Sequence, residues 1–292
     1  MKGILLAGGK GSRLYPLTSV GSKQLQAVYD KPMIYYPLTT LIAAGIREIC
    51  LIITSYDYEK FKNLLGDGSH LGIEINYVIQ EKPKGIAHAI LLAEEFIENS
   101  NFALILGDNI FSGGNDIPKA IAEFEKGALV FAYHVPDPER YAVVEFDSDL
   151  KVLSLEEKPL KPKSNYAIPG FYLYDKEAVN ISKELKPSAR GELEITDLNI
   201  QYLKKELLDV HRLSRGYAWL DSGTSISLHE ASTYIASIEK RQGMKIGCPE
   251  EAAFVRGFIS VKEFKELIFK MPICDYKKYL SMIVDGYQTG LL

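Results

Sequence analysis

The chain has 292 residues, 34 lysines plus arginines against 38 acids, and a formal net charge of −4. That length can bury one large or two modest cores without disulfide or metal staples. The acidic balance excludes a general nucleic-acid binder, and apolar runs such as 3–7 and 129–132 fall far short of the roughly 20 residues a membrane helix needs. Cys50, Cys248 and Cys274 form no CxxC pair, so no disulfide or zinc framework follows. The start turns glycine-rich before a signal-peptide core forms. A cytoplasmic protein with no nucleic-acid or membrane partner is expected.

In chain order, residues 2–7, 48–54, 75–80 and 102–106 are nearly continuous in Ile, Val and Leu, which predicts strands of a sheet covered on both faces. Residues 33–44, 58–65 and 85–97 predict helices; in the last, Ile86, Ala89, Ile90, Ala93, Phe96 and Ile97 form one apolar stripe. This alternation predicts an α/β fold with a doubly wound, mostly parallel, Rossmann-like sheet. From 129 the texture changes. Short strands at 129–134, 142–146, 152–156 and 170–174, separated by Pro, Asp and Lys turns, predict an inserted mixed β segment. Residues 194–205 and 224–241 predict helices, and 261–270 with 276–284 a C-terminal helical subdomain packed on the main body.

The first strand runs into Leu6-Ala7-Gly8-Gly9-Lys10-Gly11-Ser12-Arg13-Leu14. Clustered glycines let backbone N–H groups converge on an anion, at the strand end where open α/β sheets place ligands. The dinucleotide fingerprint GxGxxG fails, because its third glycine falls on Leu14, and a P-loop begun at Gly3 meets Gly9 where lysine is needed. Arg13 and Lys23 make a polyphosphate the natural guest; a tight turn with solvated cations is the alternative. Asp108 follows a buried-type strand and a glycine, and Asp221 follows an aromatic, apolar run. Two carboxylates from distant segments suit Mg²⁺, which shares its shell with substrate phosphates. A turn residue for Asp108 and a helix N-cap region residue for Asp221 remain alternatives.

Together these segments resemble the sugar-nucleotide pyrophosphorylases. The motifs Ser22-Lys23-Gln24-Leu25, Leu106-Gly107-Asp108-Asn109, Glu156-Glu157-Lys158-Pro159, Arg190-Gly191-Glu192-Leu193 and Trp219-Leu220-Asp221-Ser222-Gly223-Thr224 narrow this to the glucose-1-phosphate thymidylyltransferase group, in its longer form. The resemblance implies that dTTP and glucose 1-phosphate yield dTDP-glucose and pyrophosphate, a first step toward dTDP-deoxysugars such as dTDP-rhamnose. It implies a nucleotidyltransferase α/β domain over 1–240, with a nucleotide-binding part over about 1–128, a sugar-binding part over about 129–223, and a helical tail over 241–292. Arg13, Lys23 and Lys158 would be catalytic. Leu6, Gly8, Gly9, Gly11, Ser12, Gln24, Gln80, Pro83, Gly85 and Asp108 would hold the nucleotide, with Gln80 reading the thymine edge. Asn109, Ala142, Glu157, Lys158, Gly170 and Tyr172 would line the sugar. Asp108 and Asp221 would hold Mg²⁺. Because the sugar phosphate is already a dianion, no general base is needed, and His88 and His134 are assigned to structure.

The sequence departs from the family pattern in places. Ser12 and Ser222 stand where threonine is usual, Ala142 where glycine is usual, and Ile168-Pro169-Gly170 replaces Val-Thr-Gly. An added methyl at Ala142 bears on which hexose fits. The longer form resembled here implies a homotetramer and a second nucleotide-sugar site where dTDP-rhamnose inhibits. Gly113, Cys248 and Glu251 match positions near it, with Val255 at the usual arginine and Arg256 next. Rival readings are a pyrophosphorylase using UTP or another hexose 1-phosphate, and a catalytically dead nucleotide-sugar-binding regulator.

Overall fold

The chain is described by a computed structural model covering residues 1–9 and 11–289. Lys10 of the glycine loop and positions 290–292 of the expected tail lie outside the described residues. The strands are β1 (Lys2–Leu6), β2 (Ala27–Val28), β3 (Lys31–Pro32), β4 (Glu48–Ile53), β5 (Glu74–Ile79), β6 (Phe102–Leu106), β7 (Asn109–Ser112), β8 (Ala128–His134), β9 (Ala142–Phe146), β10 (Val152–Glu157), β11 (Tyr166–Ala167), β12 (Phe171–Tyr174), β13 (Leu208–Arg212) and β14 (Ala218–Asp221). The helices are α1 (Tyr35–Ala43), α2 (Tyr58–Leu65), α3 (Ile86–Leu92), α4 (Glu94–Ile97), α5 (Asp116–Glu123), α6 (Glu177–Glu184), α7 (Ile195–Lys204), α8 (Ser225–Gln242), α9 (Pro249–Val255), α10 (Val261–Lys270) and α11 (Asp275–Thr289).

One sheet organises the molecule, in the order β10-β9-β11-β8-β12-β6-β1-β4-β5, with β13 beside β8. Its first-built half, β6-β1-β4-β5, is parallel throughout. The alternation of strand side chains explains why both faces are covered. Leu5, Leu51, Ile53, Ala103 and Ile105 enter one core cluster with α1 and α2. Their neighbours Ile4, Cys50, Ile52, Phe102 and Leu104 enter the other, with α3, α6 and α7. This is the doubly wound α/β arrangement read from the sequence. The inserted segment joins it through β12, antiparallel to both β6 and β8.

The C-terminal helices share the first core. Ala253, Phe254, Phe264, Ile268, Leu280 and Ile283 are buried with Leu38, Leu41 and Ile42 of α1, and Phe254 stacks on Phe264 with ring centroids 4.5 Å apart. Serine at the N-cap and Glu263 at N3 form a capping box that starts α10 at the expected residue. No helix among the described residues is long and apolar enough to cross a membrane.

Three local expectations needed correction. The 85–97 stripe is split at Ala93, whose amide is shared among the carbonyls of the preceding turn, although the buried stripe runs on into Ile97. Asn109–Ser112 and Ala218–Asp221 pair as an antiparallel ribbon, where the sequence suggested a turn and a pre-helical run. The strand Leu208–Arg212, parallel to β8, was not expected, because Leu208 and Val210 are its only apolar residues and too few to mark an alternation.

Candidate active site

The parallel strands end at a cleft of about 430 Å³. Its floor is set by backbone: the Gly107 amide donates to the Leu6 carbonyl at 2.9 Å, and a Cβ on Gly107 would stand 2.8 Å from Gln24 Cγ. Leu6, Gly9, Arg13, Lys23, Gln24, Gln80, Pro83 and Gly85, all expected at the nucleotide except that Arg13 and Lys23 were expected to be catalytic, line the cleft. Gly8, Gly11 and Ser12 are not part of its lining. Gly8 lets Gln80 close in, since a Cβ there would be 2.6 Å from Gln80 Oε1. Gly11 adopts φ +59 ahead of the short 3-10 turn Ser12–Leu14 that carries Arg13.

Gln80 is buried at 3% exposure, and its Nε2 lies 3.2 Å from His88 Nδ1. Burial, reinforced by the charge of Lys84, lowers the His88 pKa. The ring is therefore neutral at physiological pH and can accept from the amide. His88 was assigned to structure from sequence; the structure makes it the orienting partner of Gln80.

Asp108 and Asp221 face the same cleft. The ribbon brings them together: Asn109 pairs with Asp221 in register, and the Ser222 amide donates to the Asp108 carbonyl at 3.1 Å. Their electrostatics diverge. Burial works against the Asp108 carboxylate, but the charge and hydrogen bond of Lys23 overcome it and hold the pKa below the usual carboxylate range. Lys23 Nζ and Asp108 Oδ2 form an ion pair. Asp221 is pushed up, first by burial and then by the charge of Asp108, with Lys23 and Arg13 offsetting only part. Two converging acids, one short of compensating charge, make a donor set that a divalent cation satisfies.

The other end is built by the inserted segment. Asn109, Ala142, Glu157, Lys158, Gly170 and Tyr172 line it. Glu157 Oε2 accepts from Thr196 Oγ1 at 2.6 Å. Lys158 takes φ +46, an unusual backbone state for a non-glycine residue, held by donation from its amide to the Tyr141 carbonyl at 3.0 Å. Sequence reasoning missed Arg140, Tyr141, Arg190, Glu194 and Trp219 as lining residues. Arg190 lay inside a motif already singled out, and Trp219 beside Asp221, so adjacency was the available signal; Arg140 sits in an ordinary Asp-Pro turn that carried none.

Cys248 and Glu251, two of the residues near the expected second site, lie one helical turn apart at the start of α9 and both bond to α11. Gly113 packs on the Gly216 carbonyl, and Arg256 lies against Gly45. Cys248 is buried with its sulfur 3.1 Å from the Tyr276 hydroxyl, and Glu251 Oε2 accepts from Tyr279 at 2.6 Å. None of the four lines the cleft at the strand ends.

The family model described as "Nucleotidyl transferase" matches residues 2–238. A glucose-1-phosphate thymidylyltransferase of Neisseria meningitidis is 52% identical over 97% of this chain and 99% of its own length. One from Mycobacterium tuberculosis is 48% identical over 98% and 99%. A Bacillus anthracis structure solved in complex with a sucrose aligns with TM-score 0.74 at 44% identity, covering 80% of this chain and 94% of that one. A UDP-glucose pyrophosphorylase complexed with UDP-glucose shares the fold, with TM-score 0.72 at 24% identity over 82% of this chain and 99% of that one. With the cleft, its cations and its paired acids in place, this chain belongs to the nucleotidyl transferase family, within its group of glucose-1-phosphate thymidylyltransferases.

Proposed function

We propose that the cleft joins dTTP to glucose 1-phosphate, releasing pyrophosphate and dTDP-glucose. The observation that carries this is the convergence of Arg13, Lys23 and Lys158 with Asp108 and Asp221 on one cleft. A phosphate monoester has its second pKa near ~6 and is chiefly a dianion at neutral pH, so a sugar-phosphate oxygen attacks the α-phosphorus with no proton to remove. One P–O bond forms, the bond from the α-phosphorus to its bridging oxygen breaks, and pyrophosphate leaves with the electron pair. The obstacle is repulsion between two polyanions, and positioning with electrostatic stabilisation answers it. Arg13 and Lys23 receive the departing phosphates, and Lys158 grips the attacking one. Gln80, oriented by His88, reads the thymine edge, while Glu157, fixed by Thr196, meets sugar hydroxyls. Asp108 and Asp221 would hold Mg²⁺, which when bound supplies positive charge against the α-phosphate. A homotetramer belongs to the same reading. Exposed Phe269 on α10, Ile273 in the loop that follows it and Tyr287 on α11 offer apolar contact surface, and light scattering checks the mass.

A panel of nucleoside triphosphates and hexose 1-phosphates, read by pyrophosphate release, tests the proposal. Highest kcat/KM is expected for dTTP with glucose 1-phosphate. Preference for UTP or another hexose would move the specificity, and ligand binding with no pyrophosphate from any pair would leave a regulator.

A further inference from the structure

We infer that Asn109 is a positioning residue that pins the sugar side of the cleft to the metal side and acts on catalysis through Asp108. The inference rests on the proposed role of Asp108 as a metal-holding acid. Asn109 is 4% exposed, and its carboxamide is almost fully committed. Oδ1 accepts from the Gly170 amide at 2.9 Å and from Trp219 Nε1 at 2.6 Å. A carbonyl oxygen has two lone pairs, so this oxygen is filled. Nδ2 donates to Asp108 Oδ1 at 3.1 Å.

These bonds have a direction. Gly170 immediately precedes β12, on the sugar side of the proposed site, and a Cβ there would meet Asn109 Cγ at 2.9 Å. Trp219 lies on the ribbon strand that ends at Asp221, and Asn109 itself is the register partner of Asp221. Asp108 is then held from both sides, Oδ1 by Asn109 and Oδ2 by Lys23. A sugar hydroxyl could use only the second Nδ2 hydrogen, whereas three protein contacts depend on the same amide. Asn109 was expected from sequence to be a sugar ligand; its bonding makes it the joint between the two halves of the site.

Asn109→Asp tests this, because an aspartate oxygen still accepts from Gly170 and Trp219 while the donor to Asp108 is lost. The expected result is a fall in kcat on the order of 10²–10³-fold, with the glucose 1-phosphate KM changed less than about threefold, the signature of an interaction realised in the transition state. Trp219 is the chain's sole tryptophan, so an unchanged emission maximum certifies that its bond survives. Asn109→Ala removes the donor to Asp108, together with the acceptor for Gly170 and Trp219, without adding charge and should lose kcat by at least about tenfold with the same steady KM. A readout without turnover is the melting temperature of the ligand-free protein. Asn109→Asp should lower it, and Asp108→Asn/Asn109→Asp, which restores an amide facing a carboxylate, should melt above the sum of the single effects. A KM raised tenfold or more at unchanged kcat, or strictly additive melting shifts, would overturn the inference. If Asp108→Asn keeps native turnover, the metal reading itself falls and the inference with it. If Asp108→Asn is dead while both Asn109 variants turn over normally, the inference alone falls.

Discussion

Lys23 and Asp108 are joined by an ion pair in which both side chains are largely withdrawn from water, at 16% and 14% exposure. The pair compensates one of the two acids and leaves Asp221 short of positive charge. The consequence is that two chemically identical substitutions should act on stability with opposite signs.

Asp221→Asn should raise the melting temperature of the ligand-free protein at pH 7.5 by a few degrees, about 1–3 °C, while cutting turnover on the order of 10²–10³-fold. A carboxyl whose folded pKa is raised contributes stability that is present at low pH and lost as pH rises through that pKa. The gain from asparagine should therefore vanish as pH falls through the raised Asp221 pKa. Asp108→Asn should go the other way. It strands a buried lysine charge and lowers the melting temperature at neutral pH, with the deficit shrinking as acid protonates the wild-type carboxyl. Melting curves from about pH 2 to 8, the Asp108 deficit closing only below the ordinary carboxylate range, with rates at pH 7.5, check both signs.

His88→Leu should raise the dTTP KM about five- to twentyfold while leaving kcat within about threefold, because it frees the Gln80 amide without touching phosphate chemistry. The neutral state of His88, favoured by burial and by Lys84, is the accepting one. Below its lowered pKa the ring becomes a donor against an amide donor, so the wild-type dTTP KM should climb in acid, and His88→Leu should abolish that limb. KM profiles for both proteins decide it.

How much of this was legible beforehand divides along physical lines. The parallel half of the sheet was, because strands buried on both faces are continuous in Ile, Val and Leu, and Phe102–Leu106 matched to the residue. The Asn109–Ser112 and Ala218–Asp221 ribbon was not. Its strands are four residues long, and their pairing spans more than a hundred positions, so no local pattern announces it. Arg13, Lys23 and Asp108 were legible as residue types able to serve a polyphosphate. The pairing of Lys23 with Asp108, and the sharing of Asn109 among Gly170, Trp219 and Asp108, belong to tertiary placement and leave no spacing signal.

Ala142→Gly should relax discrimination at the sugar end. Ala142 lies on the cleft wall, and its carbonyl is fixed by the Ile168 amide at 2.8 Å, so the backbone cannot recede from a bulkier hexose. One methyl in a snug pocket is worth about 1–3 kcal/mol. Relative kcat/KM for non-glucose hexose 1-phosphates should rise by about tenfold, with dTTP parameters unchanged.

A closed ring of charge joins the β2–β3 hairpin to α8 and the turn after it. Lys31 Nζ lies 2.5 Å from Asp30 and 3.0 Å from Glu239, Lys245 Nζ lies 3.1 Å from Glu239 and also binds Asp30, and the Lys31 side chain is 2% exposed. Two positive and two negative groups balance, which is what lets Lys31 and Glu239 stay buried. The β2–β3 hairpin that carries Asp30 and Lys31 is tied by the Ile34 and Met33 amides to the Gln24 and Gln26 carbonyls, next to Lys23. Lys31→Met leaves two acids against one cation and should cost about 3–5 kcal/mol. Lys31→Met/Glu239→Leu leaves one of each and should recover most of that loss, because the remaining Asp30–Lys245 pair is neutral and the new side chains are apolar. Denaturant midpoints of the single and double variants measure the recovery. A double variant no more stable than Lys31→Met would show that packing around Tyr36, whose ring lies 5.0 Å from the ammonium, outweighs the balance of charge.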